Sequence, residues 1–254
     1  MKKILLALVF TAFLISTVDA QRWKLRRYEG ILGVGTTNVF GDIGGTADQS
    51  NLFGLKDIEI DQTRPSFYAG IRYKIEEDMA LKLNIVYGLG SGSDDGSKNE
   101  HRELSFKTTL IESSVQYEYY FLKEDRRLKS SAVFNRRGMI NNYAKIAAYA
   151  FGGLGGIYFN PSLEGPPSQL THEWHIVDGY SKFNLSLPVG LGIKYTIDDQ
   201  ISLGLELGGR YTLSDYLEGF STTFSKNNDV YYFTNITFIY KARTDRRGRP
   251  ILFR

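Results

Sequence analysis

The stretch Asp229-Val230-Tyr231-Tyr232-Phe233-Thr234-Asn235-Ile236-Thr237-Phe238-Ile239-Tyr240-Lys241 decides how the rest of the chain is read. Aromatic and β-branched residues dominate it. Such side chains fit a pleated surface and lose rotamer freedom in a helix, so the stretch is a strand. Alternation sorts it into two faces. Val230, Tyr232, Thr234, Ile236, Phe238 and Tyr240 form one, which carries no charge and has aromatics near both ends. Tyr231, Phe233, Asn235, Thr237, Ile239 and Lys241 form the other. A soluble sandwich strand carries a comparable pattern, and so does the last strand of a barrel whose lipid face is bounded by aromatic girdles. The other strands separate these readings.

Working outward, the chain from Tyr28 predicts eight strands, at 28–40, 65–75, 79–89, 104–121, 143–158, 180–196, 201–212 and 229–241. Each reaches the ~9–11 residues that a tilted strand needs to cross a bilayer. In the seventh, Ile201, Leu203, Leu205 and Leu207 alternate with Ser202, Gly204, Glu206 and Gly208. The third sets Leu81, Leu83, Ile85 and Tyr87 against Lys82, Asn84, Val86 and Gly88; the sixth sets Phe183, Leu185, Leu187 and Val189 against Asn184, Ser186, Pro188 and Gly190. A soluble barrel would turn the apolar face inward. The frequency of Gly, Ala and Ser on the polar face instead suits a narrow lumen. The connections alternate in length, with tight turns at 76–78 and 197–200 and long segments at 41–64, 90–103, 159–179 and 213–228, while 122–142 is long and basic. The expected architecture is all-β: an eight-stranded antiparallel transmembrane β-barrel over 21–241, with long extracellular loops, both termini periplasmic, and a basic periplasmic tail at 242–254.

The N-terminus agrees with export. Lys2 and Lys3 precede the apolar run Ile4–Val18, and small residues precede Gln21, so 1–20 reads as a cleaved signal peptide and the expected location is the bacterial outer membrane. The sequence has no Cys, which excludes disulfides and a lipid-modified N-terminal cysteine. Past residue 20 no apolar run approaches the ~18 residues of a spanning helix.

Formal net charge is +3, and this small total hides an asymmetry. Acids such as Asp42, Asp94, Glu164, Asp215, Glu218 and Asp229 crowd the long loops. Bases crowd the opposite side: Arg22, Lys24, Arg26 and Arg27 at the start, Arg126, Arg127, Arg136 and Arg137 in the long inward connection, and Arg243, Arg246, Arg247, Arg249 and Arg254 in the tail. One reading gives the acids to divalent cations among lipopolysaccharide phosphates and the bases to phospholipid headgroups. The sharper reading makes Arg26, Arg27, Arg126, Arg127, Arg136, Arg137, Arg243, Arg246, Arg247 and Arg249 a docking surface for an acidic periplasmic partner, because guanidinium suits multidentate carboxylate recognition.

The polar strand faces carry Glu29, Arg72, Lys82, Glu112, Glu118, Lys145, Lys194, Glu206 and Arg210, a candidate charge network inside the lumen. Side chains just fill an eight-stranded barrel, and buried charges must be paired, so a salt-bridged plug is expected rather than an open pore. A small passive channel is the alternative. Catalytic, cofactor and metal sites are not expected. His172-Glu173-Trp174-His175 lacks the i, i+4 spacing of a helical metal pair and a third ligand, and His101 stands apart. No nucleophile-elbow motif accompanies the serines, so an enzyme acting on lipid or peptide is the weaker reading. Gly152-Gly153-Leu154-Gly155-Gly156 precedes no helix and reads as strand slimming, not a dinucleotide loop. Nucleic acid is not an expected partner.

Several short words in order resemble the PorG-type outer-membrane barrels of the Bacteroidetes type IX protein secretion apparatus. They are Tyr28-Glu29-Gly30, Asn38-Val39-Phe40-Gly41-Asp42-Ile43-Gly44-Gly45, Tyr117-Glu118-Tyr119-Tyr120-Phe121, Phe134-Asn135-Arg136-Arg137-Gly138, Tyr158-Phe159-Asn160-Pro161, Ser214-Asp215-Tyr216-Leu217-Glu218-Gly219-Phe220, and Asn227-Asn228-Asp229. The resemblance implies a non-enzymatic barrel that anchors the periplasmic ring of the secretion machinery. Its partners would be outer-membrane lipids and a ring protein or lipoprotein, with no catalytic residues to carry over.

Overall fold

The computed structural model describes residues 22–44, 60–97, 99–124, 145–170, 180–221, 228–245 and 249–251. The expected signal peptide, 1–20, lies outside them. Eight long strands follow one another: β1 Tyr28–Phe40, β2 Arg64–Lys74, β3 Met79–Ser93, β4 Ser105–Leu122, β5 Ile146–Glu164, β6 Phe183–Thr196, β7 Ile201–Thr212 and β8 Val230–Thr244. Each pairs antiparallel with the next. The β1–β8 ladder, from Tyr28 opposite Ala242 to Phe40 opposite Val230, closes the sheet into a barrel and leaves neither edge unpaired.

β1 and β7 match their sequence-based bounds, whereas β3 and β5 run further. Residues 90–93 and 159–164 were expected in loops, yet 90–93 pair with 105–108 on β4 and 159–164 with 105–110. Local composition favours loop in the Gly-Ser run of β3, but ladder bonds to a neighbour override it. Gly88, Gly90 and Gly92 also have a packing role. A side-chain carbon at Gly92 would lie 2.3 Å from the Phe106 ring, and one at Gly88 2.8 Å from the Phe233 ring.

Strand parity sends apolar residues outward. Leu32 and Val189 are each 65% exposed and Leu154 70%, while Arg72, Lys82, Lys194 and Lys241 are fully buried inside. The interior has two zones. Toward the end that carries both termini it is charged and hydrogen-bonded. Toward the other end Val39, Phe106, Leu110, Ile157, Phe159 and Phe233 pack into a continuous apolar core, which extends above the strands through Ile43, Leu104, Leu217 and Phe220.

At the terminal rim a short 3-10 helix, Arg22–Arg26, sits beside β8, and Thr244 Oγ1 donates to the Lys24 carbonyl at 2.8 Å. A two-residue strand β9, Pro250–Ile251, folds back on Arg243 and Thr244, so part of the tail is an extension of the last strand.

Candidate functional site

The charged zone is built by register. Glu29 on β1 lies opposite Arg72 on β2, which lies opposite Lys82 on β3, so three inward positions in a row carry charge. Two adjacent cations demand anions from across the lumen, and β4 and β7 supply them. Arg72 reaches Glu29 at 2.9 Å, Glu118 at 2.6 Å and Glu206 at 3.3 Å; Lys82 reaches Glu118 at 3.0 Å and Glu206 at 2.8 Å. Lys194 completes the set at 3.1 Å from Glu29. Tyr149 donates to Glu206, and Tyr120 donates to Glu118. A side-chain carbon at Gly192 would fall 2.3 Å from the Tyr149 ring, so glycine there leaves the space the phenol needs to reach the network.

Six of the sequence-derived lumen charges therefore meet: Glu29, Arg72, Lys82, Glu118, Lys194 and Glu206. Glu112 and Arg210 form a separate pair at 3.4 Å, with Tyr231 donating to Glu112. Lys145 is a correction. It has inward parity with Ala147 and Tyr149, but β5 starts only at Ile146, and Lys145 is exposed at the rim with its carbonyl accepting from Thr196 N. Sequence reading missed Lys74, 3.6 Å from Glu29, and Lys241, 2.8 Å from Glu124. Both share inward parity with residues already chosen, so alternation carried the signal. Glu124 follows β4, folds under the barrel to Lys241 and comes 3.7 Å from Lys194, which no strand periodicity could show.

At the opposite end Asp61, Asp95, Glu100, Glu103 and Glu164 are exposed, but three of the loop acids are not surface charges. Asp94 is buried, accepts from Arg102 at 2.8 and 2.9 Å and from Gly44 N at 2.9 Å. Glu218 and Asp229 are also buried. Ile43 N donates to Glu218 at 2.8 Å and Leu217 N to Asp229 at 2.8 Å, which ties the segments after β1 and β7 to the start of β8. Burial, then the neighbouring Asp229 carboxylate, holds Glu218 well above the usual carboxyl range. Burial, with Asp215 and Asp42 adding to it, does the same for Asp229. His101 is exposed in a turn at Glu100–Arg102, and His172 and His175 lie outside the described residues.

Of the basic set, Arg26, Arg27, Arg243 and Arg249 lie at the terminal rim. Arg26 pairs with Asp199 at 3.2 Å, and Arg243 and Arg249 are exposed around the β8–β9 turn. Arg27 turns to the flank of the barrel, donating to Tyr73 Oη at 3.0 Å with its guanidinium 4.8 Å from the Trp23 ring. Arg126, Arg127, Arg136, Arg137, Arg246 and Arg247 lie outside the described residues.

The outer wall decides the environment. Leu83, Leu203, Leu205 and Leu187 face out, beside Val115, Ile236 and Phe238. Outward Tyr28, Tyr73, Tyr119 and Tyr195 ring the terminal end of this band, and Tyr158, Phe183 and Tyr211 ring the other. Apolar residues around a closed wall, with ion pairs inside, require hydrocarbon outside, and closure leaves no open sheet edge to face it. The chain is an outer-membrane β-barrel protein. No protein-family description matches it by sequence, and no curated protein does. Among solved structures it is similar to the N-terminal β-barrel domain of Pseudomonas aeruginosa OprF, with 12% identity over 85% of this chain and 97% of that one and a TM-score of 0.39. Neisserial surface protein A gives 13% identity over 84% of this chain and 96% of that one, with a TM-score of 0.44. A major outer membrane protein from Thermus thermophilus gives 12% over 83% and 99%, with a TM-score of 0.41. In the outer-membrane barrel described here the wall, not these likenesses, carries the membrane placement.

Proposed function

We propose that this barrel is a non-enzymatic structural component of a type IX protein secretion machine, held in the outer membrane with its terminal rim in the periplasm and docking ring components through that rim. The observation that carries the reading is the pair of exposed guanidinium groups there, Arg243 and Arg249, where the tail folds back on β8, beside Arg26, which is already paired with Asp199. The connection from β4 to β5, which contains Arg126, Arg127, Arg136 and Arg137, leaves and re-enters the barrel at the same rim, between Leu122 and Ile146. A surface of this charge favours an acidic protein partner, since complementary potentials raise association rates and guanidinium forks fix orientation. The filled lumen supports an anchoring role over a passive channel, because the ion-pair network, the Glu112–Arg210 pair and a packed apolar core occupy it together.

The test is affinity purification from native membranes. Wild type is expected to bring down periplasmic ring components, and charge reversal of Arg136, Arg137, Arg246 and Arg247 together to lose them. Retention of those components by the reversed variant would remove the docking surface.

A further inference from the structure

We propose that the flank of the terminal rim holds a built site for the zwitterionic headgroup of a phosphatidylethanolamine molecule in the adjoining leaflet. A cleft of about 450 Å³ opens there between the 3-10 helix that precedes β1, the β2–β3 turn and the end of β4. Its wall carries Lys24, Arg27 and Lys123 together with Glu76, Glu77 and Asp78. Three cations and three carboxylates balance, so the cleft suits a ligand with both signs better than a bare anion.

Its position matches the headgroup layer. Ile75, exposed and on the lipid-facing parity of Ile71 and Tyr73, lines the cleft, and the Tyr28 and Tyr73 rings meet beside it at a tilt of 52° with centroids 5.1 Å apart. Trp23 lines it too, and Trp and Tyr concentrate where hydrocarbon meets headgroups. The cation side is ordered. Arg27 is held by Tyr73 Oη and by the Trp23 ring, so its guanidinium is ordered at the cleft wall, where a phosphate oxygen would meet it. The acid side is also set. The amides of Ile75 and Glu76 both donate to the Met79 carbonyl, which fixes the turn, while the side chains of Glu76 and Glu77 stand exposed. Lys123 lies 3.4 Å from Asp78, so the two signs already meet within the cleft. A primary ammonium gives three donors to carboxylates; a choline headgroup gives none, and a glycerol headgroup brings no positive charge.

The experiment uses the full chain in phospholipid vesicles with Trp174→Phe, which leaves Trp23 as the sole indole. Quenching of Trp23 is followed while bilayer lipid is replaced by its 6,7-dibromo analogue with ethanolamine, choline or glycerol headgroups. Half-maximal quenching is expected at about tenfold lower mole fraction for ethanolamine, the ratio for one charge-assisted hydrogen bond. Arg27→Gln and, separately, Glu77→Gln should each bring the three headgroups together. Glu77 is an exposed turn side chain, so its loss leaves the barrel folded, which heat-modifiable gel migration checks. Excess inorganic phosphate should leave the ethanolamine preference unchanged. Equal quenching by all three lipids, a preference for the glycerol headgroup, a preference that survives Glu77→Gln, or one that free phosphate abolishes would each overturn the site. None of these readings depends on ring docking.

Discussion

Glu218 and Asp229 face each other across a single glycine: an oxygen of each carboxyl lies 2.4 Å from where a side-chain carbon on Gly41 would sit. Each also takes a backbone amide from a different segment, Ile43 and Leu217, so the pair joins the elements that close this end of the barrel. Two buried carboxyls this close cannot both ionise without strong repulsion, so burial and proximity together favour the protonated form.

The pH dependence of that closure follows. In the unfolded chain such carboxyls titrate near about 4. In the native barrel both are raised, by burial first. The folded state therefore holds more protons as pH rises above the ordinary carboxyl range, so its stability is greatest below that range and declines toward alkaline pH. Proteolytic cleavage of the loop end, compared at acid and alkaline pH in detergent, should speed up with pH beyond the protease's own profile. Glu218→Gln should flatten this response; a wild type with no such trend contradicts the raised carboxyls.

Gly41→Ala should be costly for steric reasons alone. The new carbon would meet both carboxyls at 2.4 Å, and overpacking of this kind costs about 1–3 kcal/mol. Gly30→Ala is the matched control, because nothing lies within 4 Å of a carbon placed there. Urea unfolding in micelles should separate the two variants, and equal midpoints would contradict the packing at the loop end.

Arg72→Met removes the partner of three acids. Glu29, Glu118 and Glu206 lie 2.6–3.3 Å from its guanidinium, all buried. Stranding buried charge in this way costs about 3–5 kcal/mol, and adding Glu118→Gln should restore part of it. The urea midpoint is the readout, and additive losses in the double variant would deny the coupling.

Lys82→Ala with Glu206→Ala should not open a pore. These changes clear part of the charged zone, but Phe106, Phe159 and Phe233 still close the apolar zone. Planar bilayers should record no steady conductance from wild type or from the double variant. A conducting double variant would mean that the ion pairs, not the aromatic layer, seal the lumen.

Leu205→Arg tests the wall itself. The residue faces out beside Leu203 and Leu207, and arginine at mid-bilayer depth costs about 2–4 kcal/mol in a barrel. Folding into vesicles should be impaired for Leu205→Arg and far less for Ser202→Ala.

Much of this was legible in residue order because alternation is local. A period of two assigns each strand residue to lipid or lumen wherever one face is apolar, which is why the pattern bounds β7 to the residue and puts Arg72, Lys82 and Glu206 inside. The ends were harder. Gly90 to Ser93 read as loop until pairing with β4 made them strand, and Lys145 has lumen parity but sits one residue before its strand begins.

By itself, then, the order of residues determined the strand count and the inside-out pattern, since both depend on neighbours two residues apart. Tertiary structure alone decided which charges meet. Glu206 reaches Lys82 across 124 positions, and Lys241 reaches Glu124 across 117, because closure of β1 on β8 brings distant strands around one narrow axis. It also turned Asp94, Glu218 and Asp229 from apparent surface acids into buried structural ones: burial depends on what packs over a side chain, and nothing local to a loop records that.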